Sequence, residues 1–199
     1  MAYFNFRNIM KNSCYKIVPI HQRPDLFLDC CNLINAEWPS SNTRRLRTLG
    51  MSCDNFPTCL VLLNNDKVIG HCKISLVPNL SDSCFIESVV IDYEWRSQGL
   101  GSSLLRGTEE YILSKGLKNI YLATKGQEVF YIKNGYRICE PINLFNCGYV
   151  ADNIVDEEKK ITTKIGQFSS GPTPPPLPKI KLPINNKVIT TKTYMIKNF

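Results

Sequence analysis

The stretch YEWRSQGLGSSLL, residues 93–105, decides how the rest of the sequence is interpreted. An apolar run, SVVIDY, leads into it, and apolar residues at helical spacing follow Gly101, so it joins a strand to an amphipathic helix. Glycines in such a turn often serve only the backbone conformation. The amides that open a helix can also bind an anion, and Arg96 lies beside them.

Two phosphate-binding motifs do not fit this loop. No Gly-Lys-Ser/Thr follows the glycines, as a nucleotide P-loop requires. The third glycine and the later acidic residue of the dinucleotide fingerprint are also missing. The residues alone leave two interpretations open: a tight strand-to-helix turn, or a pyrophosphate site formed by Arg96 and the backbone of Gln98–Gly101.

Around the loop, strand-like and helix-like segments predict a mixed α/β fold. The predicted strands are YKIVPI, TCLVLL, KVIGHCKISLV, CFIESVVI, LKNIYLAT, YRICEPINLF and a last one at about residues 187–197. The predicted helices are RPDLFLDCCNLINAEW, SNTRRLRTLG, the helix that follows the glycine loop, and GQEVFYIKNG. Residues 169–186 are proline-rich and predict an extended, flexible insertion, because proline lacks the donor that a sheet interior needs.

Composition places the 199-residue chain among globular proteins, with 43% hydrophobic and 21% charged residues. No apolar run approaches the ~20 residues of a membrane-spanning helix, and no secretory signal opens the sequence. The nine cysteines are odd in number and several lie in apolar runs, which is typical of thiols in a reducing compartment. We therefore expect a single domain over residues 1–199, cytoplasmic, monomeric and without a membrane partner. Since there is no C-x-x-C pair, no metal is expected either.

The formal net charge of +7 indicates either solvated basic faces or an anionic partner, such as nucleic acid, a phosphorylated cofactor or an acidic peptide. No arrayed basic and aromatic pattern supports nucleic acid, so that partner is not expected.

A second element connects the loop to a known family. RSQGLG is similar to the Arg/Gln-x-x-Gly-x-Gly/Ala pyrophosphate loop of the GNAT superfamily of acetyl-CoA-dependent N-acetyltransferases, and FYIKNGY resembles that superfamily's Phe-Tyr-x-x-x-Gly-Tyr/Phe element. About thirty residues, with a predicted helix and strand, separate the two. The resemblance implies the GNAT fold, whose mixed, mostly antiparallel sheet is flanked by helices, and acetyl-CoA as co-substrate.

The resemblance also implies which residues bind acetyl-CoA. In this superfamily the strand before the loop has a bulge, and that position maps onto Val89, Val90 and Ile91, whose unpaired backbone groups would hold the pantetheine arm. The remaining implied cofactor contacts are Ser97, Gln98, Gly99, Leu100, Gly101, Ser102 and Gln127.

Three residues are candidates for the chemistry. The resemblance implies that Tyr131 protonates the departing sulfur; by itself it would be interpreted as a core aromatic. A phenol, pKa near ~10, stays protonated while a thiolate, pKa near ~8.5, forms. Arg96 is implied to lie near the acetyl group. Glu87, in the apolar strand FIESVVI, is either a satisfied structural carboxylate or a base acting through water.

The second predicted helix contains three arginines, Arg44, Arg45 and Arg47. On a helix, Arg44 and Arg47 share a face and Arg45 points elsewhere. Most charge runs are only solvated faces, but arginine favours bidentate recognition of carboxylates, and an acidic acceptor is the sharper interpretation.

More narrowly, four segments resemble the actin N-terminal acetyltransferases within this superfamily. They are LINAEWPSSNTRRLRTLG, SCFIESVVIDYEWRSQGLG, QEVFYIKNGYRICEP and the proline-rich insertion. The resemblance implies transfer to the acidic N-terminus of processed actin, with substrate contacts at Trp38, Thr43, Arg44, Arg45 and Leu46. It also implies profilin as a partner of the proline-rich segment, which is shorter here than in some relatives.

Two rival functions stand beside this one. A small-amine acetyltransferase would take a polyamine or an arylamine, and the arginines of the second predicted helix would repel the cationic polyamine. A non-catalytic adaptor would bind partners through PTPPPLP while its GNAT domain is degenerate. The complete glycine loop and Tyr131 argue against degeneracy.

Overall fold

The computed structural model describes residues 15–142 and 192–199. The strands are β1 Tyr15–Pro19, β2 Thr58–Asn64, β3 Lys67–Leu76, β4 Ser83–Ile91, β5 Asn119–Thr124, β6 Arg137–Ile138 and β7 Thr193–Asn198. The α-helices are α1 Phe27–Glu37, α2 Asn42–Gly50, α3 Leu100–Ser114 and α4 Glu128–Lys133. The chain divides into two units, residues 1–146 with 191–199 and residues 147–190, and every described residue belongs to the first. The single-domain prediction stays a prediction, and the insertion at 169–186 lies outside the described residues.

One sheet contains all seven strands, in the order β1-β2-β3-β4-β5-β7-β6. Among the strands of residues 15–142 and 192–199, only β4 and β5 pair in parallel, and every other neighbouring pair is antiparallel. Helix α3 connects the parallel pair, since parallel neighbours need a crossover connection. The predicted mixed, mostly antiparallel sheet flanked by helices is confirmed.

Apolar side chains cover both faces of the sheet. On the face that we call the α3 face, Leu104, Leu105 and Ile112 of α3 pack against buried strand residues such as Leu62 and Ile74. The α1 face is covered by α1 and α2; its buried residues include Cys30, Ile34, Leu49, Val61 and Val90. The helical spacing that predicted these helices is therefore the spacing of their buried residues.

The structure corrects two boundaries, and the start of the last predicted strand lies outside the described residues. The predicted strand over residues 136–145 is wrong in extent, because β6 ends at Ile138; Cys139 still donates its amide to the Tyr194 carbonyl oxygen at 2.9 Å, and Pro141 follows without a donor. The first predicted helix begins as a short 3₁₀ turn at Pro24–Leu26 before α1 starts at Phe27. The last predicted strand is observed only from Thr193, since residues 187–191 lie outside the described part.

A buried ion pair connects β7 to the rest of the fold. Lys197 Nζ lies 2.7 Å from Glu109 Oε2 on α3, and only 21% of the lysine side chain and 6% of the glutamate side chain is exposed. The same nitrogen donates to the carbonyl oxygen of Asn134, just after α4, at 2.9 Å. One ammonium group thus links β7, α3 and the end of α4.

Replacing this lysine tests how much the ion pair contributes. In Lys197→Met the Glu109 carboxylate stays buried without its partner, so we expect the free energy of unfolding to fall by about 3–5 kcal/mol in urea denaturation. Lys118→Met, at an exposed lysine, is the control and should change it by less than about 0.5 kcal/mol. Equal midpoints for Lys197→Met and the wild type would contradict this account.

Candidate functional site

The site begins where β4 and β5 separate. Their parallel pairing runs from Ser83 opposite Asn119 to Ile86 opposite Leu122 and continues no further within the described residues, although β4 extends to Ile91. From Glu87 onward the β4 edge that faces β5 therefore offers backbone groups without a strand partner. Such groups can bind an extended amide chain as a further strand would.

A β-bulge in β4 lies at this separation. On the β3 side His71 is opposite Val90 and Lys73 is opposite Glu87, so Ser88 and Val89 together face Cys72. Ser88 has a φ of 54°, which is unusual for a residue with a Cβ. The bulge implied by the resemblance is present and starts one residue before Val89.

The glycine loop turns the chain from β4 into α3. Asp92 accepts a hydrogen bond from the Glu94 amide at 3.0 Å, which starts a 3₁₀ turn over Tyr93–Trp95. Gly99 has a φ of 75° and precedes α3 directly, so the turn does need a glycine there. Gly101 instead lies close to α4, because a Cβ on it would meet the Phe130 ring at 3.5 Å.

The amides at the start of α3 are available to a ligand. The first helical hydrogen bond runs from the Ser103 amide to the Gly99 carbonyl oxygen at 3.1 Å. The amides of Leu100, Gly101 and Ser102 come before it and have no acceptor within the helix. This N-terminus of a 15-residue helix suits an anion through its free donors and its dipole.

Arg96 connects the loop to α1. Its Nε donates to the carbonyl oxygen of Ile91, the last residue of β4, at 2.9 Å. Its Nη2 lies 2.6 Å from Glu37 Oε2, at the end of α1. A groove of roughly 700 Å³ lies between α1 and the end of β4, and its lining includes Glu37, Val90, Ile91 and Arg96. Sequence reasoning missed Glu37, and no local pattern could have shown it, because it lies 59 positions from Arg96.

Tyr131 lies on α4 among aromatic rings. Its ring packs edge-on to Phe130 and Tyr136, with centroids 5.0 Å and 5.7 Å away. Burial is the main reason that the pKa of Tyr131 is raised to about 12, and Cys72 adds to the effect. Neighbouring Phe130 lies beside Gly101, so α4 packs against the start of α3. Gln127, just before α4, is exposed.

Glu87 is held by two side chains of β3. Ser75 Oγ donates to its Oε1 at 2.6 Å, and Lys73 Nζ donates to its Oε2 at 3.2 Å. Both carboxylate oxygens thus have a partner, which is the arrangement of a satisfied structural group. Its role as a base stays a prediction.

The arginines of α2 divide into two kinds. Arg44 and Arg47 are exposed, whereas Arg45 is half-buried, which confirms the predicted faces. Arg45 donates from Nε to Asn35 Oδ1 at 3.2 Å and from Nη2 to the Trp38 carbonyl oxygen at 2.8 Å. Arg45 therefore holds the end of α1 to α2.

The other three implied substrate residues differ in their exposure. Trp38 is 42% exposed just after α1 and Thr43 is exposed, while Leu46 packs against the core of the α1 face. An acceptor could reach Trp38, Thr43, Arg44 and Arg47 at the surface.

Tyr131 and Leu46 lie on opposite faces of the sheet, and the implied cofactor residues of β4 alternate between the two faces, with Val90 on the α1 face and Ile91 on the α3 face. Tyr131 packs on the α3 face, and Leu46 of α2 packs on the α1 face. Beyond Ile86 and Leu122, β4 and β5 are no longer hydrogen-bonded to each other, so the sheet is open there between its two faces. Free helix amides beside Arg96 suit a diphosphate, and the unpaired β4 edge suits a linear amide chain, so the residues present fit coenzyme A.

The described residues contain no group of three metal-ligating side chains, and the expectation of no metal stays a prediction. Among the helices in residues 15–142, none is long and apolar enough to cross a membrane.

Comparison with known proteins gives one family and several similar proteins. The model of the acetyltransferase (GNAT) family matches residues 25–136. N-alpha-acetyltransferase 80 from Mus musculus is 35% identical over 161 residues, which are 77% of this chain and 49% of that protein. The chain therefore spans about half the length of this relative.

Solved structures share the fold. An aminoglycoside 6'-N-acetyltransferase complexed with coenzyme A has a TM-score of 0.62 and 14% identity, with 92% of this chain and 96% of that chain covered. An acetyltransferase of the GNAT family from Staphylococcus aureus Mu50 has a TM-score of 0.57 and 13% identity, with 92% and 98% covered. At these identities the likeness concerns the fold alone.

The contrast between Arg45 and Arg44 can be tested by stability. Arg45→Lys loses the planar donor set that bonds Asn35 and Trp38, so we expect the free energy of unfolding to fall by about 1 kcal/mol. Arg44→Lys, at an exposed side chain, should change it by less than about 0.5 kcal/mol. Urea denaturation of both variants measures the difference, and equal effects would contradict a structural role for Arg45.

Proposed function

The chain belongs to the GNAT acetyltransferase family, and on this premise we propose that it transfers acetyl from acetyl-CoA to the α-amine of an acidic protein N-terminus, that of processed actin. The match over residues 25–136 confirms the predicted superfamily. The observation on which the proposal depends is the free edge of β4 leading directly into the open N-terminus of α3. The 35% identity to an N-alpha-acetyltransferase supports a protein α-amine as the acceptor.

The residues of this chain would divide the work as follows. Acetyl-CoA supplies an activated thioester. The backbone of Val89–Ile91 would bind its amide arm, and the first amides of α3 would bind its diphosphate. Tyr131 would give its proton to the departing sulfur, since its raised pKa keeps it protonated.

The acceptor amine needs little help to lose its proton. An α-amine with a pKa of ~7.7–8.0 is already roughly one-tenth neutral at pH 7. Positioning can therefore supply much of the rate, and a strong base is not required. This agrees with a Glu87 carboxylate whose two oxygens are already engaged by Ser75 and Lys73.

The acidic acceptor is supported by the exposed arginines of α2. Arg44 and Arg47 lie on one exposed face, shortly after Trp38 in the chain. Adjacent carboxylates at a protein N-terminus would be attracted to these guanidinium groups, and affinity should weaken with salt.

The proposal extends to location and partners. All seven described cysteines are free thiols, which supports a reducing compartment and hence the cytoplasm. We also propose that the protein is a monomer and that residues 169–186 bind profilin. The profilin contact is supported by the sequence PTPPPLP alone.

The role of Tyr131 can be tested by kinetics. We expect Tyr131→Phe to lower kcat by about 10²–10⁴-fold, because the proton donor is lost. The control Tyr111→Phe removes a buried hydroxyl that has no partner among the described residues, and it should leave kcat unchanged.

The pH dependence follows from the direction of the shift. A raised pKa keeps the proton donor intact below its folded value and loses it only as pH rises through about 12. Wild-type kcat should therefore show no falling limb from Tyr131 between about pH 7 and 10. A near-normal kcat in Tyr131→Phe would remove Tyr131 from the proposal.

A peptide panel with labelled acetyl-CoA tests the acceptor. Peptides that begin Asp-Asp-Asp should be acetylated in preference to peptides that begin with Met or Lys. Arg44→Glu with Arg47→Glu should lower kcat/KM for the acidic peptide by at least about tenfold through repulsion, whereas Arg106→Glu on α3 should not.

Arg45→Glu should also abolish transfer, but it breaks the contact of Arg45 with the Trp38 carbonyl oxygen as well. The charge reversal therefore uses the exposed Arg44 and Arg47. Preference for a non-acidic peptide would overturn the acidic acceptor, and transfer to no peptide at all would overturn the proposed activity.

A further inference from the structure

We propose that His71 is a positioning residue for the acetyl-CoA site: its imidazole fixes the β4 bulge at Ser88 and so directs the backbone of Val89–Ile91 toward the co-substrate. This inference deepens the proposed function and rests on it. His71 lies on β3, opposite Val90, and is only 2% exposed, so it reaches the site through β4 rather than by touching a ligand.

The geometry places the imidazole on the bulge itself. His71 Nδ1 lies 3.2 Å from the carbonyl oxygen of Ser88. Ser88 and Val89 share a single opposing residue, Cys72, so this part of β4 is out of register with β3. A bulge leaves its extra residue without the regular ladder hydrogen bonds. The imidazole supplies the donor that the ladder cannot.

The protonation of His71 follows from its partner. A carbonyl oxygen only accepts, so Nδ1 must carry the proton for this contact to be a hydrogen bond. Burial lowers the pKa of His71 to about 4, and the charges of Arg45 and Lys73 act in the same direction. The ring is therefore neutral at physiological pH, and the contact does not switch there.

The other ring nitrogen has no competing task. Nε2 of His71 is buried and has no hydrogen-bond partner within the described part of the chain. The contact with Ser88 is thus the one polar interaction that the structure gives this ring. A buried imidazole with a single polar contact is best explained by what that contact holds in place.

Ser88 needs such support because of its backbone conformation. Its φ of 54° lies in the left-handed region, which residues with a Cβ enter at a cost. A hydrogen bond to its carbonyl oxygen stabilises that conformation against a regular strand. Glycine would adopt the same φ freely, and this gives a direct test.

The bulge also decides which way the rest of β4 faces. Val90 packs on the α1 face and Ile91 on the α3 face. Without the extra residue the alternation after Ser88 would be inverted, because side chains change face at every step. The backbone edge that meets the amide arm would turn with them.

The experiment combines substitutions at both ends of the contact in the full chain. His71→Leu removes the donor, while His71→Asn keeps an amide nitrogen near the position of Nδ1. Binding of coenzyme A is measured by calorimetry, together with KM for acetyl-CoA, kcat and the melting temperature. We expect His71→Leu to raise both Kd and KM about tenfold, as for one lost hydrogen bond, with kcat changed less than about threefold.

The rescue separates positioning from general stability. Ser88→Gly alone is the reference in which the left-handed φ needs no support, and His71→Leu with Ser88→Gly should lose much less affinity relative to it than His71→Leu loses relative to the wild type. His71→Asn should lie near the wild type. A folded His71→Leu that binds coenzyme A normally, or a double variant without any rescue, would overturn the inference.

Two further outcomes are also decisive. If His71→Leu does not fold, His71→Asn is compared with His71→Gln, whose amide nitrogen lies near the position of Nε2; equal affinities would overturn the inference. If the wild type itself does not bind coenzyme A, the proposed function fails and the inference falls with it. Normal binding by both the wild type and His71→Leu removes the inference alone.

Discussion

A strand that loses its neighbour in the middle of a sheet is the constraint on which this site depends. Backbone donors and acceptors need partners, and β4 beyond Ile86 has no strand partner on its β5 side among the described residues. The strand is still held from the β3 side, where the bulge at Ser88 changes the register. Directly after this strand the chain begins α3, so a free strand edge and a free helix end meet in one place. The fold thus presents two kinds of unpaired backbone group to the same ligand.

Arg96 connects the end of β4 to the end of α1. Its guanidinium bonds the last carbonyl of β4 and the carboxylate of Glu37, so the end of α1 is attached to the loop that would bind the co-substrate. Arg45 attaches α2 to the same end of α1 through the Trp38 carbonyl oxygen. The glycine loop and α2 are therefore both connected to the end of α1 by an arginine, each of which bonds a carbonyl oxygen and a side chain. This distinguishes Arg45, which is engaged in the fold, from the exposed Arg44.

Periodicity and turn chemistry predicted most of the fold, because burial of one face fixes the spacing of α3 and of the central strands. The two interpretations of the glycine loop are compatible: Gly99 serves the backbone with a positive φ, and the same turn exposes helix amides. Pro141 could have shown that the strand ends before it, because proline lacks the donor that a strand interior needs. Local rules could not show that Ser88 would adopt a left-handed conformation. The pairing of Arg96 with Glu37 depends on residues far apart in sequence. Position in space, not residue type, separates the structural arginine from the exposed ones.

The place of β7 has a consequence for how the chain is made. It lies between β5 and β6 in the sheet, yet it is synthesised after both, beyond residues 143–191. Until residues 193–198 leave the ribosome, β5 has an open edge and Glu109 has no Lys197 to neutralise it. An open edge of this kind can pair with another chain. The nascent protein therefore passes through an interval in which its sheet is incomplete and prone to association, and the arrival of β7 ends that interval.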